Sequence, residues 1–238
     1  GETVLKEIYS ADFTHCEQGI RVVESLENGG LGLNLTHEVL DGILKHSKGY
    51  GKILPEDPEE LACTYEGRVV RIADFMAYLN HDLDDAVRSG VIRPGQVPGS
   101  CTRMLGTTHS ERAATMIRDL ISSSHEEGGT LRLTPSAAVR AAMIELRQFM
   151  YENVYRSERV QEDFEKSKKI LSELYAFFLQ HPKQLRRGLA DLQVGGSAPN
   201  DDPPERLVCD FIASMTDRYA MNLYANLFFP SPFTQKVN

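Results

Sequence analysis

VVRIADFMAYLNHDLDD, residues 69–85, is the stretch on which the fold turns. Val69, Ile72, Ala73, Met76 and Leu79 recur at three- and four-residue intervals, which predicts an amphipathic helix with one face in a core. The pattern extends this helix over about 59–89, with Gly90 closing it. Asp74, Tyr78 and Asp82 stand at i, i+4 and i+8, and each step drifts by only about 40°, so they form one polar stripe. A carboxylate, a phenol and a second carboxylate at stepped heights can hold a cation, a flat ring and a hydroxyl. An exposed stripe on a solvated helix is the commoner meaning of such spacing, and spacing alone leaves both readings open. Two details favour function. Apolar Ile72, Ala73, Phe75 and Met76 flank Asp74, and Asp82, Asp84 and Asp85 crowd around His81 near a helix C-terminus, where acids gain nothing from the macrodipole.

Outward from this segment, helical periodicity dominates. It predicts helices over 13–27, over 36–46 with Thr36 as N-cap, and over 109–124, 136–153 and 157–180. A last apolar helix is expected over 205–228, before Pro230. Segments 47–58, 92–106 and 193–204 read as loops, and Gly128-Gly129 leads into a short extended piece at 130–133. Neither a repeat nor sustained alternation appears, so the reading is all-α. The expected division is a helical core part over 1–134 and a C-terminal helical lobe over 135–238.

Composition narrows the function classes. The chain has 238 residues, 41% of them hydrophobic and 25% charged, as expected of a globular protein with ample core. A net charge of −8 argues against a dedicated nucleic-acid binder. No apolar run reaches the ~18 residues of a membrane span, and the first residues lack a signal-peptide pattern. Cys16, Cys63, Cys101 and Cys209 are far apart without a CxxC pair, which reads as reduced thiols in the cytoplasm.

Three further features carry chemistry with a plain alternative beside each. His15, in FTHCEQ, is either a partly exposed first-turn histidine or a phosphate donor near a helix N-terminus. Lys45-His46 is either a basic helix C-terminus or a phosphate grip, with Lys48 and Lys52 of SKGYGK as further cations. GYGK lacks the spacing and preceding strand of a P-loop. RLVCDFIASMTDRYAMNLY, 206–224, contains Asp210, Thr216, Asp217 and Arg218 and reads as a core helix with a capping or packing role.

Taken in order, several segments resemble the HD-domain deoxynucleoside triphosphate triphosphohydrolases, the dGTPase-like group. They are GE at 1–2, F-x-H-x-x-Q at 13–18, GLNLTHEVLDGILKH at 32–46, YEGRVVRIADFMAYLNHDLDDA at 65–86 and DFIASMTDRYA at 210–220. The resemblance implies part of an HD-domain-like helical bundle with a C-terminal helical lobe. It implies a divalent metal (Mg, Mn or similar), with Asp74 as one ligand, and a dNTP substrate. Tyr78 and Asp82 would then read the deoxyribose, Lys45 and His46 would bind near the triphosphate, and Glu2 and His15 would be catalytic. A homo-oligomer is also implied.

The departures from the family pattern set a further expectation. The family's first metal histidine, its His-Asp doublet and its catalytic histidine would all precede residue 1. His81-Asp82 is a doublet in letters only, since it follows Asp74 on the same helix, and Cys16 stands where the family often has Asn. The expectation is a C-terminal portion of a larger enzyme, inactive alone. The rival readings are another HD phosphohydrolase, which would not need Tyr78 and Asp82, and a non-catalytic helical scaffold or regulatory subunit.

Overall fold

Apolar residues at helical spacing build an all-α protein. Among the described residues the departure is a hairpin of His125–Glu127 with Thr130–Arg132, turned by Gly128 and Gly129 at φ 60° and 78°. The computed structural model describes residues 1–47, 55, 57–194 and 202–230. Lys48 and Lys52 lie outside the described residues. Two compact units divide the chain, 1–35 with 164–238 and 36–163. Residue 134, the boundary expected from sequence, lies inside the second unit.

The unit 36–163 is built around the long helix Tyr65–Arg88. The helix starts at Tyr65 rather than near 59, because Thr64 caps it: its hydroxyl accepts the Gly67 N–H at 3.1 Å. Pro58–Glu60 forms a separate 3-10 turn. Ile72, Met76, Leu79, Leu83 and Ala86 are the face that packs, joined by Met116, Met143, Leu146 and Met150 from the helices His109–Ser123 and Ala137–Met150. Val69 and Ala73, assigned to the buried face by spacing, are exposed; the packed stripe begins at Ile72. A Cβ on Gly67 would lie 3.1 Å from the Gly42 Cα and 2.6 Å from the Ala62 Cβ. The helix His37–Leu44 therefore crosses the long helix in near backbone contact.

The stretch 92–106 is not a loop throughout, since Gly99–Leu105 is a helix that buries Cys101 and Leu105. Its Pro98 and Gly99 stand at the helix entrance, where neither breaks it. The helix Ala137–Met150 widens into a π turn, Tyr151–Tyr155, before Glu158–Gln180 begins.

The other unit packs Leu5, Phe13, Leu174, Phe178, Leu185, Val208, Phe211 and Ile212 into one core. His15–Arg21 starts at Thr14, whose hydroxyl accepts the Glu17 N–H at 3.1 Å, and continues as a π turn, Val22–Leu26. The single helix expected over 205–228 is two, Pro204–Ala213 and Asp217–Phe228. Thr216 starts the second by accepting the Tyr219 N–H at 3.2 Å, so a hydroxyl cap interrupts an otherwise helical apolar pattern. The helix Pro182–Asp191, which no sequence reading assigned, meets Pro204–Ala213 through Gly188.

Candidate functional site

Asp74, Tyr78 and Asp82 all lie on Tyr65–Arg88, so successive members are about 6 Å apart along its axis. Asp74 is exposed and makes no hydrogen bond or ion pair with the described residues. Tyr78 and Asp82 are half-buried because Tyr155, from the π turn, closes over them. The Tyr78 and Tyr155 rings stack with centroids 5.8 Å apart at 20°, and the Tyr155 hydroxyl donates to Asp82 Oδ2 at 2.6 Å. Burial first, then the Asp82 carboxylate and Tyr78, push the Tyr155 phenol far above its ordinary pKa, so it remains a donor. Asp82 Oδ1 takes no hydrogen bond among the described residues. The arrangement is a flat aromatic wall beside a carboxylate with one oxygen fixed and one open to a hydroxyl. Tyr155 escaped the sequence reading, because the helical pattern of 136–153 does not show that a π turn carries it back to Asp82.

Lys45 and His46 end the helix His37–Leu44 in the same unit. The Lys45 ammonium pairs with Asp41 at 2.7 Å and donates to the Leu61 carbonyl at 3.1 Å. Burial would raise the Asp41 pKa, but Lys45 and the Cys63 N–H outweigh it and hold the carboxyl below its ordinary value. Arg71, buried on the long helix, donates to the Lys45 carbonyl at 2.9 Å and so caps this helix end. His46 Nδ1 donates to the Ile43 carbonyl at 2.6 Å. The Lys45 ammonium is thus engaged by Asp41 and the Leu61 carbonyl in this structure. Arg71 is a buried cation that periodicity marked only as a helix position.

Glu2 and His15 meet in the other unit. Glu2 Oε2 accepts the His15 backbone N–H at 3.1 Å and contacts the ring Nδ1, while Oε1 pairs with Lys6 at 2.7 Å. Burial opposes ionisation of Glu2, yet Lys6 and both His15 donors outweigh it and lower its pKa to about 2. Glu2 is accordingly a fixed carboxylate that orients the imidazole. One turn further along the same helix, Gln18 and Arg21 reach Asp210, which is fully buried on Pro204–Ala213. Asp210 also accepts Arg206 Nη2 at 2.6 Å. A buried carboxylate between two guanidinium groups therefore ties the helix of His15 to the core of its unit.

Among the described residues no cluster of three His, Cys, Asp or Glu ligand atoms includes Asp74. One carboxylate does not make a mononuclear site, so the described residues do not by themselves complete the expected divalent-metal centre. A half-open cleft of about 490 Å³ lies along the part of the long helix that presents Leu83, Asp84 and Val87, and none of the expected site residues lines it.

Comparison with known proteins supplies the class and then the family. Residues 133–226 match the phosphohydrolase-associated domain. A deoxyguanosinetriphosphate triphosphohydrolase-like protein of Desulfatibacillum aliphaticivorans is 51% identical over 98% of this chain and 66% of its own length. Proteins of the same name from Caldanaerobacter subterraneus subsp. tengcongensis and Geobacter metallireducens are 40% and 32% identical, covered over 64% and 69% of their lengths. The chain belongs to this deoxyguanosinetriphosphate triphosphohydrolase-like family. It spans just under two thirds of the length of the first two of these relatives. No helix among the described residues is long and apolar enough to cross a membrane.

Proposed function

We propose that this chain is part of a dNTP triphosphohydrolase, which cleaves a deoxynucleoside triphosphate to the deoxynucleoside and inorganic triphosphate. The observation that carries the reading is the Tyr78–Tyr155 stack with Asp82 held at one oxygen by the Tyr155 hydroxyl. A sugar seated on Tyr78 would offer its 3′-hydroxyl to Asp82 Oδ1, and the close aromatic wall would exclude a 2′-hydroxyl. Asp74, one turn before Tyr78 and without a partner among the described residues, would be one ligand of a divalent metal in the complete protein. Glu2 would hold His15 for proton handling, and Lys45 and His46 would lie toward the phosphates. The family names and the phosphohydrolase-associated match support this reading. The substrate, the metal, a homo-oligomeric assembly, a cytoplasmic setting and the inactivity of this chain alone all belong to the proposal.

The test is release of inorganic triphosphate from dGTP by the complete protein with Mg or Mn, compared with Asp74→Ala, Asp82→Ala and Tyr155→Phe. The expected result is loss of turnover in Asp74→Ala. Asp82→Ala and Tyr155→Phe should weaken the preference for deoxy over ribo substrates, and residues 1–238 alone should show no turnover. Absence of turnover of any dNTP by the complete protein, with Asp74→Ala changing nothing, would sink the proposal.

A further inference from the structure

His109 Nε2 is buried and makes no hydrogen bond, the one such side-chain atom among the described residues. A buried polar atom without a partner among the described residues leaves room for a group outside the chain, a water or an ion. His109 opens the helix His109–Ser123, and its ring lies 4.9 Å, centroid to centroid, from that of His81 at a tilt of 46°. His81 projects from Tyr65–Arg88, is exposed, and takes no hydrogen bond from the described residues. Both histidines belong to the unit 36–163.

We propose that His81 and His109 together bind a transition-metal ion of the imidazole-preferring class, Zn, Ni or Cu. An imidazole nitrogen bound at about 2.0–2.1 Å puts the ring centre roughly 3.2 Å from the ion, so two rings on one tetrahedral ion have centres about 5 Å apart. The observed centroid separation of 4.9 Å matches that spacing. Two neutral nitrogens favour borderline cations over Mg or Ca, which take oxygen ligands. Asp85 follows His81 by one turn on the same face, and its ion pair with Arg88 is long, at 3.3 Å, and exposed. It adds negative potential, and the remaining positions would be left to water. The site joins the long helix to His109–Ser123 and is separate from the Asp74 stripe, so it stands whether or not the proposed hydrolysis does.

The experiment is calorimetric titration of the chelator-treated 238-residue chain with nickel chloride, repeated on His81→Gln, His109→Gln, Asp74→Asn and Cys63→Ser. One equivalent should be lost, or weakened roughly ten-fold or more, in each histidine variant and kept in the other two. His81 is exposed, so His81→Gln keeps the test decisive if His109→Gln fails to fold. Nickel binding by His81→Gln equal to that of the parent overturns the proposal. Loss of the equivalent in Asp74→Asn with its retention in His81→Gln assigns the ion to the other site and overturns it equally.

Discussion

Asp210→Asn is expected to unlatch the helix that carries His15. In the structure Asp210 Oδ1 accepts Gln18 Nε2 and Arg21 Nε at 2.9 Å and Arg206 Nη2 at 2.6 Å, and Oδ2 accepts Arg21 Nη2 at 2.7 Å. Both oxygens serve only as acceptors, so either orientation of an Asn amide sets its NH2 against a guanidinium N–H. Arg21 would keep Asp202, whereas Arg206 would keep the neutral Gln18 and Tyr9. Breaking a buried ion pair from one side costs about 3–5 kcal/mol. The arginine side chains retain 21% and 17% exposure, which favours the lower end. About 3 kcal/mol corresponds to a fall in Tm of roughly 6–12 °C for a chain of this length. Urea unfolding followed by circular dichroism gives the free energy, and amide exchange over 15–21 locates the loosening. The pH dependence provides a second check. Burial opposes ionisation, but Arg21, Arg206 and Gln18 hold the Asp210 pKa below the ordinary 3.8. The carboxylate's contribution is therefore fully present above that value and is lost as pH falls through the lowered one, so parent and variant should converge in acid. A difference under about 1 kcal/mol at pH 7 would refute the latch, since it falls below the cost of any uncompensated buried charge.

Gly188→Ala should destabilise the unit 1–35 with 164–238, because the added Cβ would lie 2.3 Å from the Phe211 ring. The expected loss is about 1–3 kcal/mol by thermal or urea unfolding, and an unchanged midpoint would contradict the packing. Iodoacetamide at pH 8 should modify Cys63 ahead of the other thiols. Burial pushes Cys101 to about 12 and Cys209 to about 11, and Cys16 is buried; desolvation and then Asp41 raise the Cys63 thiol too, so its lead rests on its exposure. Peptide mass mapping checks the order, and equal labelling of Cys101 contradicts it. Glu2 has its pKa lowered from 4.5 to about 2, so its hold on His15 is complete above pH 4.5 and lost as pH falls through about 2. Protection of the His15 amide should fall across that window in the parent, while Glu2→Gln removes the pH dependence; identical profiles would exclude the contact.

The main helices and the stripe of Asp74, Tyr78 and Asp82 were legible in the sequence, because helical periodicity and capping are local properties read within a few turns. Ordered motifs carried the family resemblance, which no single spacing could. Local patterns failed where a cap competed with a continuous apolar run. Thr216 splits 205–228 into two helices, and Thr64 delays the start of the long one. Pro98 and Gly99 concealed a helix, since the same residues that break a helix interior are harmless at its first turn.

What only the tertiary structure decided is partnership. Tyr155 is 73 residues from the Asp82 it holds, Asp210 is 189 from Arg21, and buried Arg112 reaches Asn80 and Asp84 across 32 and 28. No periodicity reports such pairs, because they depend on where whole helices cross. The sequence determined by itself that Asp74, Tyr78 and Asp82 share a face, since 3.6 residues per turn fixes that. Packing decided that Asp74 stands exposed while Tyr155 closes over Tyr78 and Asp82, because burial is a property of the neighbours a helix acquires and not of the helix itself.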